Sequence, residues 1–376
     1  MASERQIRVG GVPIGGGAPV VVQSMTLTKT HDVDATMAQI GALVSAGCEV
    51  VRVAVPKNED AAALAKLVYL SPVPIVADIH FNASLALKAL DAGVAAVRIN
   101  PGNIGGPDKV AEVVRAAKAK GVPMRIGANS GSLPKHLLGL AQEDTAVALV
   151  EEALEQVRLL EGMDFTDFKI SVKSSSVPTM IRAYRMLAER VPYPLHLGVT
   201  EAGTPGTGSI KSAVGIGSLL MDGIGDTIRV SLTADPVEEV GVAWEILKAL
   251  GLRERGPVMI ACPSCGRDNV GVWHLADEVE ERLRDYPQAF EVAVMGCAVN
   301  GPGEAGDADF GIAGGRETGF IYAHGRVLRK VESEVLVDEL FREIDRWIEG
   351  GMVRPKRLKL AKPAALMMAE AAQRPS

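Results

Sequence analysis

The sequence predicts an α/β protein in which a (β/α)8 barrel of the TIM type precedes a smaller α/β domain. Between residues 19 and 250, short apolar runs that end in a polar residue alternate with stretches of helical periodicity. Eight such runs occur in about 230 residues, the number that this barrel requires. A doubly wound sheet would place a G-x-G-x-x-G turn after an early strand, and no such turn follows these runs.

The elements follow one another regularly along the chain. The opening segment, residues 5–19, has glycine turns and predicts a hairpin that covers the bottom of the barrel. Several helical stretches end in a glycine, which commonly stops a helix in the left-handed conformation. The helical stretches include residues 34–47, 111–121, 143–162 and 235–251. The eight predicted strands are residues 19–25, 49–55, 73–79, 94–100, 122–128, 167–173, 194–200 and 226–232.

After Gly251 the pattern changes, and we predict three segments. Residues 1–251 form the barrel, which binds the substrate. A short linker leads to a smaller domain of residues 257–353, which contains three of the four cysteines. Residues 354–376 begin basic and end rich in alanine, which predicts a solvated terminus.

The composition is that of a folded protein. Of the 376 residues 47% are hydrophobic, which excludes an intrinsically disordered chain. The 40 basic and 46 acidic residues give a net charge of −6, so an anion site must be a local cluster of cations and nucleic-acid binding is not expected. No apolar run approaches the roughly 20 residues of a membrane span. Four cysteines are too few for a disulfide framework. We expect a soluble cytoplasmic protein without membrane contact.

Four cations lie at or just beyond the ends of predicted strands, where the active site of such a barrel is found. Because these ends converge, Arg52, Arg98, Arg125 and Lys173 predict a site for a phosphorylated or polyanionic substrate. Glu201 follows the seventh strand and is either a salt-bridge partner or a proton-transfer group. Other polar residues at these ends are Asp78, His80, Asn100, Asn129, His196, Arg229 and Ser231, and we interpret the two histidines as rim residues of the core.

The cysteines indicate a metal site in the second domain. Cys262 and Cys265 form a C-x2-C pair and Cys297 follows a later strand, which favours zinc or an iron–sulfur cluster. Cys48 lies at the bottom of the barrel and is expected to be a buried filler. Glu304 can reach the three thiols as a weak, displaceable fourth ligand, and spacing alone does not exclude His274 or His324.

Seven motifs resemble those of 4-hydroxy-3-methylbut-2-enyl diphosphate synthase, a bacterial iron–sulfur enzyme family of the non-mevalonate isoprenoid pathway. The resemblance runs in order along nearly the whole chain. One departure is TLTKT at residues 26–30, where the family has a TNT-like segment. The motifs are VQSMT at 22–26, RINPGNIG at 98–105, RIGANSGSL at 125–133, VKSSS at 172–176, GVTEAG at 198–203, CPSCGR at 262–267 and GCAVNGPGEA at 296–305.

The resemblance implies reductive ring opening and dehydration of 2-C-methyl-D-erythritol 2,4-cyclodiphosphate, with flavodoxin or ferredoxin as electron donor. It implies that Glu201 serves the hydroxyl chemistry. A 4Fe-4S cluster would be held by Cys262, Cys265, Cys297 and Glu304. The diphosphate would be bound by Arg52, Arg98, Arg125, Asn129, Lys173 and Ser231.

Two other functions fit parts of the sequence. One is a non-redox barrel enzyme on a phosphorylated substrate with a structural zinc module, although a closed zinc site needs a fourth strong ligand. The other is an iron–sulfur carrier, which leaves the cationic barrel without a purpose. Chain geometry also predicts a homodimer with sites shared between chains, because the last barrel helix runs back to the bottom and only Leu252 to Pro257 lead on towards Cys262.

Overall fold

The computed structural model describes residues 3–101, 104–266, 268, 270–297, 305, 307–315 and 317–352. The chain divides into two compact units, Met1–Arg253 and Glu254–Ser376. Within the described residues, no helix combines the length and the apolar character that crossing a bilayer requires.

The first unit opens with an antiparallel hairpin of β1 (Gln6–Val9) and β2 (Val12–Gly15). Its apolar side chains are buried against the first residues of the strands that follow. This confirms that the hairpin covers the amino-terminal end of the barrel. The cluster consists of Ile7, Val9 and Ile14 from the hairpin with Val21, Val50, Val76 and Ala96 from the barrel.

Eight parallel strands form the barrel and confirm the eight predicted runs. They pair in the order β8-β7-β6-β5-β4-β3-β10-β9. A parallel bridge between Ile170 and Leu195 joins the two end strands and brings the ring near closure. The strands are β3 (Val21–Met25), β4 (Val50–Ala54), β5 (Ile75–Asp78), β6 (Ala96–Arg98), β7 (Met124–Asn129), β8 (Phe168–Lys173), β9 (His196–Leu197) and β10 (Thr227–Ile228).

Helices of this unit surround the strands, and local sequence explains their ends. Asp32, Asp144 and Asp235 accept backbone N–H groups at the starts of three helices, and Gly47 ends the first in the left-handed conformation. The main core lies between the strands and these helices. The helices are α1 (Val33–Ala46), α2 (Asn58–Leu70), α3 (Ala83–Asp91), α4 (Pro107–Lys120), α5 (Leu138–Glu143), α6 (Thr145–Glu161), α7 (Val177–Ala188), α8 (Pro205–Met221) and α9 (Pro236–Ala249).

The second unit contains a five-stranded mixed sheet in the order β11-β12-β13-β14-β15. The first three strands are parallel to one another, and β14 runs antiparallel to both of its neighbours, β13 and β15. His324 and Gly325, both with positive φ, form the tight turn between the last two strands. The elements are β11 (Val258–Ala261), α10 (Val272–Leu283), β12 (Glu291–Met295), β13 (Phe310–Ala313), β14 (Thr318–Ala323), β15 (Arg326–Glu332) and α11 (Leu336–Glu349).

Candidate active site at the carboxyl end of the barrel

The four cations predicted from the strand ends are buried together. Arg52, Arg98, Arg125 and Lys173 belong to or directly follow four different strands, and each is at most 9% exposed. Burial, together with the charges of the arginines, holds the pKa of Lys173 well below its ordinary value. Arg98 is also the register partner of Arg125, so the charges of neighbouring strands lie side by side.

One carboxylate, Asp78 of β5, organises two of these arginines. Its oxygens lie 3.0 Å from Arg98 Nη1 and 3.5 Å from Arg52 Nε. Burial alone would raise the pKa of Asp78, but the charges of Arg52 and Arg98 and a hydrogen bond with His80 hold that pKa well below its usual range. Asp78 therefore stays ionised and fixes the two guanidinium groups in place.

Arg125 is held by a neutral partner. Its Nε and Nη2 donate to Ser171 Oγ at 3.2 and 2.9 Å, while its buried Nη1 has no hydrogen-bond partner among the described residues. Lys173 reaches Gly198, the residue after β9, where an added Cβ would lie 2.9 Å from Lys173 Nζ. Buried cations with unused donors favour binding of an anion that can accept them.

A fifth cation, Arg229, lies just beyond β10. Arg229 Nη1 donates to Ser231 Oγ at 2.6 Å, and Nη2 donates to Glu239 Oε1 at 3.2 Å. Ser231 was predicted as a substrate ligand, and here its hydroxyl group accepts from Arg229. Sequence reasoning placed Arg229 at a strand end but gave it no role. The sequence does contain a signal that could have assigned Arg229 to the site. Side chains alternate along a strand, so Arg229 lies on the same side of this segment as Thr227 and the predicted ligand Ser231.

The site carries an excess of positive charge. In the part of the chain that the structure describes, ion pairs link Asp78 and Glu239 with members of this set of five cations. A sixth cation, Lys169, is buried in the barrel and donates to Gln23 Oε1 and Thr227 Oγ1 at 3.3 and 3.2 Å. Charge complementarity therefore favours a polyanion such as a diphosphate.

The remaining predicted barrel residues lie at the same end. Asn129 is the last residue of β7 and is the register partner of Lys173. Glu201 is exposed in the loop after β9 and has φ of 54°, a left-handed conformation that is uncommon outside glycine. Backbone strain of this kind is concentrated at functional sites, because other contacts must maintain it.

The two strand-end histidines differ in their surroundings. His80 is exposed, and its Nε2 lies 2.8 Å from Arg98 Nη1. His196 is fully buried, and neither ring nitrogen has a hydrogen-bond partner among the described residues. Burial, followed by the charges of Arg125 and Lys173, lowers the pKa of His196 well below its ordinary value, so its ring is neutral.

The three cysteines of the second unit are free thiols near the carboxyl ends of β11 and β12. Cys262 follows β11, and its Sγ accepts the backbone N–H of Gly296 at 3.2 Å. This contact joins the C-x2-C turn, which contains Cys265, to the segment that contains Cys297. Amide donors to sulfur are typical of cysteines that hold iron–sulfur clusters.

The three thiols are not drawn together as the ligands of one zinc ion would be. The three sulfur atoms do not all lie within 4.8 Å of one another. Four ligands on a single zinc would place sulfur atoms about 3.8 Å apart, since Zn–S bonds are about 2.3 Å long. The structural zinc module considered from the sequence is therefore not supported.

The other candidate ligands can be placed in part. Glu304 lies outside the described residues. His324 packs against Phe310 and Trp347, at the end of the sheet opposite to Cys297, and so does not face the thiols. His274 is exposed in the first turn of α10. Cys48 is buried in the barrel unit, where desolvation raises its pKa to about 12, as expected of a filler.

Comparison with known proteins finds two family models, one on each of the two units of the structure. The family model described as "GcpE TIM-barrel domain" matches residues 4–244, and "GcpE protein C-terminal domain" matches residues 258–346. Relatives named 4-hydroxy-3-methylbut-2-en-1-yl diphosphate synthase (flavodoxin) are similar over most of the chain. The relative from Maridesulfovibrio salexigens is 57% identical over 92% of this chain and 97% of its own. The relative from Geobacter sulfurreducens is 54% identical, with 92% and 98% covered. By both matches and by this level of identity, the chain belongs to the GcpE family.

Proposed function

We propose that this chain converts 2-C-methyl-D-erythritol 2,4-cyclodiphosphate to 4-hydroxy-3-methylbut-2-enyl diphosphate, a step of isoprenoid precursor synthesis. Two electrons enter, one carbon–oxygen bond of the cyclic diphosphate breaks, and one hydroxyl group leaves as water. The observation that carries the proposal is the buried set of Arg52, Arg98, Arg125 and Lys173 at the carboxyl end of the barrel.

These cations suit the charge that the reaction creates. Opening the ring frees a phosphate oxygen, so negative charge develops on the diphosphate as the bond breaks. Cations that are already fixed stabilise this charge without reorganising, and Asp78 fixes Arg52 and Arg98 beforehand. Asn129 and Ser231 add a neutral amide and a hydroxyl group at the same end of the barrel.

Glu201 is the group we assign to the leaving hydroxyl. A carboxyl group beside a departing hydroxyl can donate the proton that turns it into water. Glu201 lies in the loop between β9 and α8, not in a strand, and its backbone is in the left-handed conformation. Replacement by glutamine keeps the shape but removes the transferable proton, so turnover should fall while diphosphate binding persists.

Cys262, Cys265, Cys297 and Glu304 are the residues that would hold a 4Fe-4S cluster. When bound, the cluster supplies the two electrons of the reaction one at a time. The N–H of Gly296 already donates to the sulfur of one of these residues, Cys262. A carboxylate is a weaker ligand for iron than a thiolate, which is why Glu304 is assigned the exchangeable position.

The electrons come from flavodoxin or ferredoxin, and the enzyme is cytoplasmic.

The enzyme is also a homodimer with sites shared between chains. Arg253, at the end of the barrel unit, donates to Val20 O at 2.7 Å and pairs with Glu49 at 3.0 Å. These contacts hold the end of the barrel unit at its amino-terminal face, opposite to the cation cluster. Because four residues separate Arg253 from β11, we assign the cluster of one chain to the barrel of its partner.

The test is anaerobic purification of the full chain, followed by iron analysis and turnover with chemically reduced flavodoxin. We expect about four irons per chain and formation of the linear diphosphate. Cys297→Ser should lose both, whereas the matched Cys48→Ala variant should keep its iron, because Cys48 is buried in the barrel unit. Wild-type protein that holds zinc and no iron would overturn the proposal.

A further inference from the structure

Asp268, three residues after Cys265, forms several hydrogen bonds with neighbouring segments. Its Oδ1 accepts the backbone N–H of Val270 at 3.1 Å, and its Oδ2 accepts that of Val272 at 2.9 Å. The hydroxyl group of Ser264, inside the C-x2-C turn, lies 3.4 Å from Oδ2. The N–H of Asp268 itself donates to the carbonyl oxygen of Cys265 at 2.9 Å. One residue thus joins the turn to the start of α10.

The same carboxylate also touches the segment that carries the third cysteine. An added Cβ at Gly296 would lie 2.9 Å from Asp268 Oδ1 and 2.9 Å from Val272 Cβ, so the Gly296 backbone lies directly against both residues. Gly296 in turn donates its N–H to Cys262 Sγ. Asp268 therefore contacts both segments that contribute cysteines.

The start of α10 explains why a residue from outside the helix is needed. Gly271 occupies the N-cap position with φ of 66° and has no side chain that could accept the free N–H groups of the first turn. Asp268 supplies the missing acceptor from three residues upstream. Its hydrogen bonds therefore fix the turn and the helix as one unit.

We propose that Asp268 is a positioning residue that holds the Cys262–Cys265 turn against Gly296 and Cys297, so that the three thiols are in place before the cluster binds. This inference rests on the proposed function, because it assumes that these thiols hold a cluster. Groups that orient metal ligands typically contribute a factor of about 10 to 100 in metal affinity.

The first experiment measures cluster retention. Wild type, Asp268→Ala and the matched control Asp277→Ala, which removes an exposed carboxylate from α10, are reconstituted anaerobically with iron and sulfide. We expect Asp268→Ala to release iron to a chelator about 10 to 100 times faster than wild type, and Asp277→Ala to match wild type. Asp268→Asn, which keeps one acceptor oxygen, should fall between them.

The second experiment needs no cluster. Amide hydrogen exchange of the apoprotein should accelerate at Val270, Val272 and Gly296 in Asp268→Ala, although Gly296 donates to Cys262 and not to Asp268. If wild type holds iron and Asp268→Ala holds it equally well, or if Gly296 exchange is unchanged, the positioning role is wrong and the proposed function stands. If wild type takes up no iron, the proposed function fails, and the exchange data alone decide whether Asp268 anchors the segments.

Discussion

Arg125 is a buried cation that forms no ion pair with a carboxylate among the described residues, where Ser171 is its hydrogen-bond partner. Desolvation, followed by the charges of Arg52 and Arg98, lowers the pKa of Arg125 well below its ordinary value. A bound diphosphate would supply the counter-charge that the protein withholds. Burying these like charges together is electrostatically unfavourable, and part of this cost is recovered when the anion binds.

Replacing Arg125 with alanine should weaken binding of inorganic pyrophosphate by about 2–5 kcal/mol, because a buried ion pair with the ligand is lost. Isothermal titration calorimetry measures the change. Arg115→Ala removes an exposed arginine from α4 and should bind pyrophosphate as wild type does. Equal affinity of both variants would remove Arg125 from the anion site.

Glu152 of α6 is a buried ionisable group outside the barrel interior. It is 4% exposed and accepts from Gln156 Nε2 at 3.3 Å, and Gln156 Oε1 accepts the N–H of Gly127 on β7. Burial raises the pKa of Glu152 to about 7, against a smaller lowering by a hydrogen bond with Asn100. Between its unfolded pKa and about 7, the folded protein therefore holds a proton that the unfolded chain releases.

The contribution of Glu152 to the free energy of unfolding should therefore fall as pH rises through this window. Glu152→Gln should be more stable than wild type at about pH 8, by up to about 3 kcal/mol, and should lose this advantage near about pH 4.5. Urea unfolding at both pH values tests the sign. Glu189→Gln, an exposed change, should show no such dependence, and an advantage that grew on acidification would contradict the assignment.

At the scale of elements, β7 depends on a glycine at its centre. Gly127 has φ of 146°, and an added Cβ would overlap the carbonyl oxygen of Ser171 on β8. No side chain fits there, so the strand can bring Arg125 and Asn129 to the site only with glycine between them.

Gly127→Ala should lower the free energy of unfolding by about 2–4 kcal/mol, since either the backbone or β8 must move. Gly41→Ala provides the control. Gly41 lies in α1 with open space around its Cβ position, so alanine should raise the free energy of unfolding by about 0.5–1 kcal/mol. Urea unfolding distinguishes the two, and a harmless Gly127→Ala would refute the packing argument.

The sequence was informative where the signal is local. Apolar runs located all eight barrel strands, even β9 and β10, which are two residues long, because burial makes their sequences continuous and apolar. The pairing of Asp78 with Arg52 and Arg98, and of Glu239 with Arg229, was not predictable. Such pairs depend on which strands become neighbours and how far each side chain reaches, and neither is encoded in local periodicity.

At the scale of the whole molecule, the proposed homodimer has a direct test. Glu201→Gln disables the barrel site and Cys297→Ser disables the cluster site, so each chain alone should be inactive. After subunit exchange, heterodimers should regain one working site of two, because one barrel and one cluster remain intact. Activity assays on the mixture measure this recovery. Absence of recovery, with exchange proven by mass spectrometry, would mean that each chain serves its own substrate.

The hairpin that covers the amino-terminal end of the barrel also constrains the order of folding. It precedes the barrel strands in the chain, yet it packs against Val76 and Ala96, which are synthesised later, and Ser3, just before the hairpin, bonds Asp226, 223 residues further on. Contacts between such distant residues form late, because closing a long loop costs entropy before any contact is gained. The residues of the hairpin are therefore expected to be among the last to gain protection in refolding experiments.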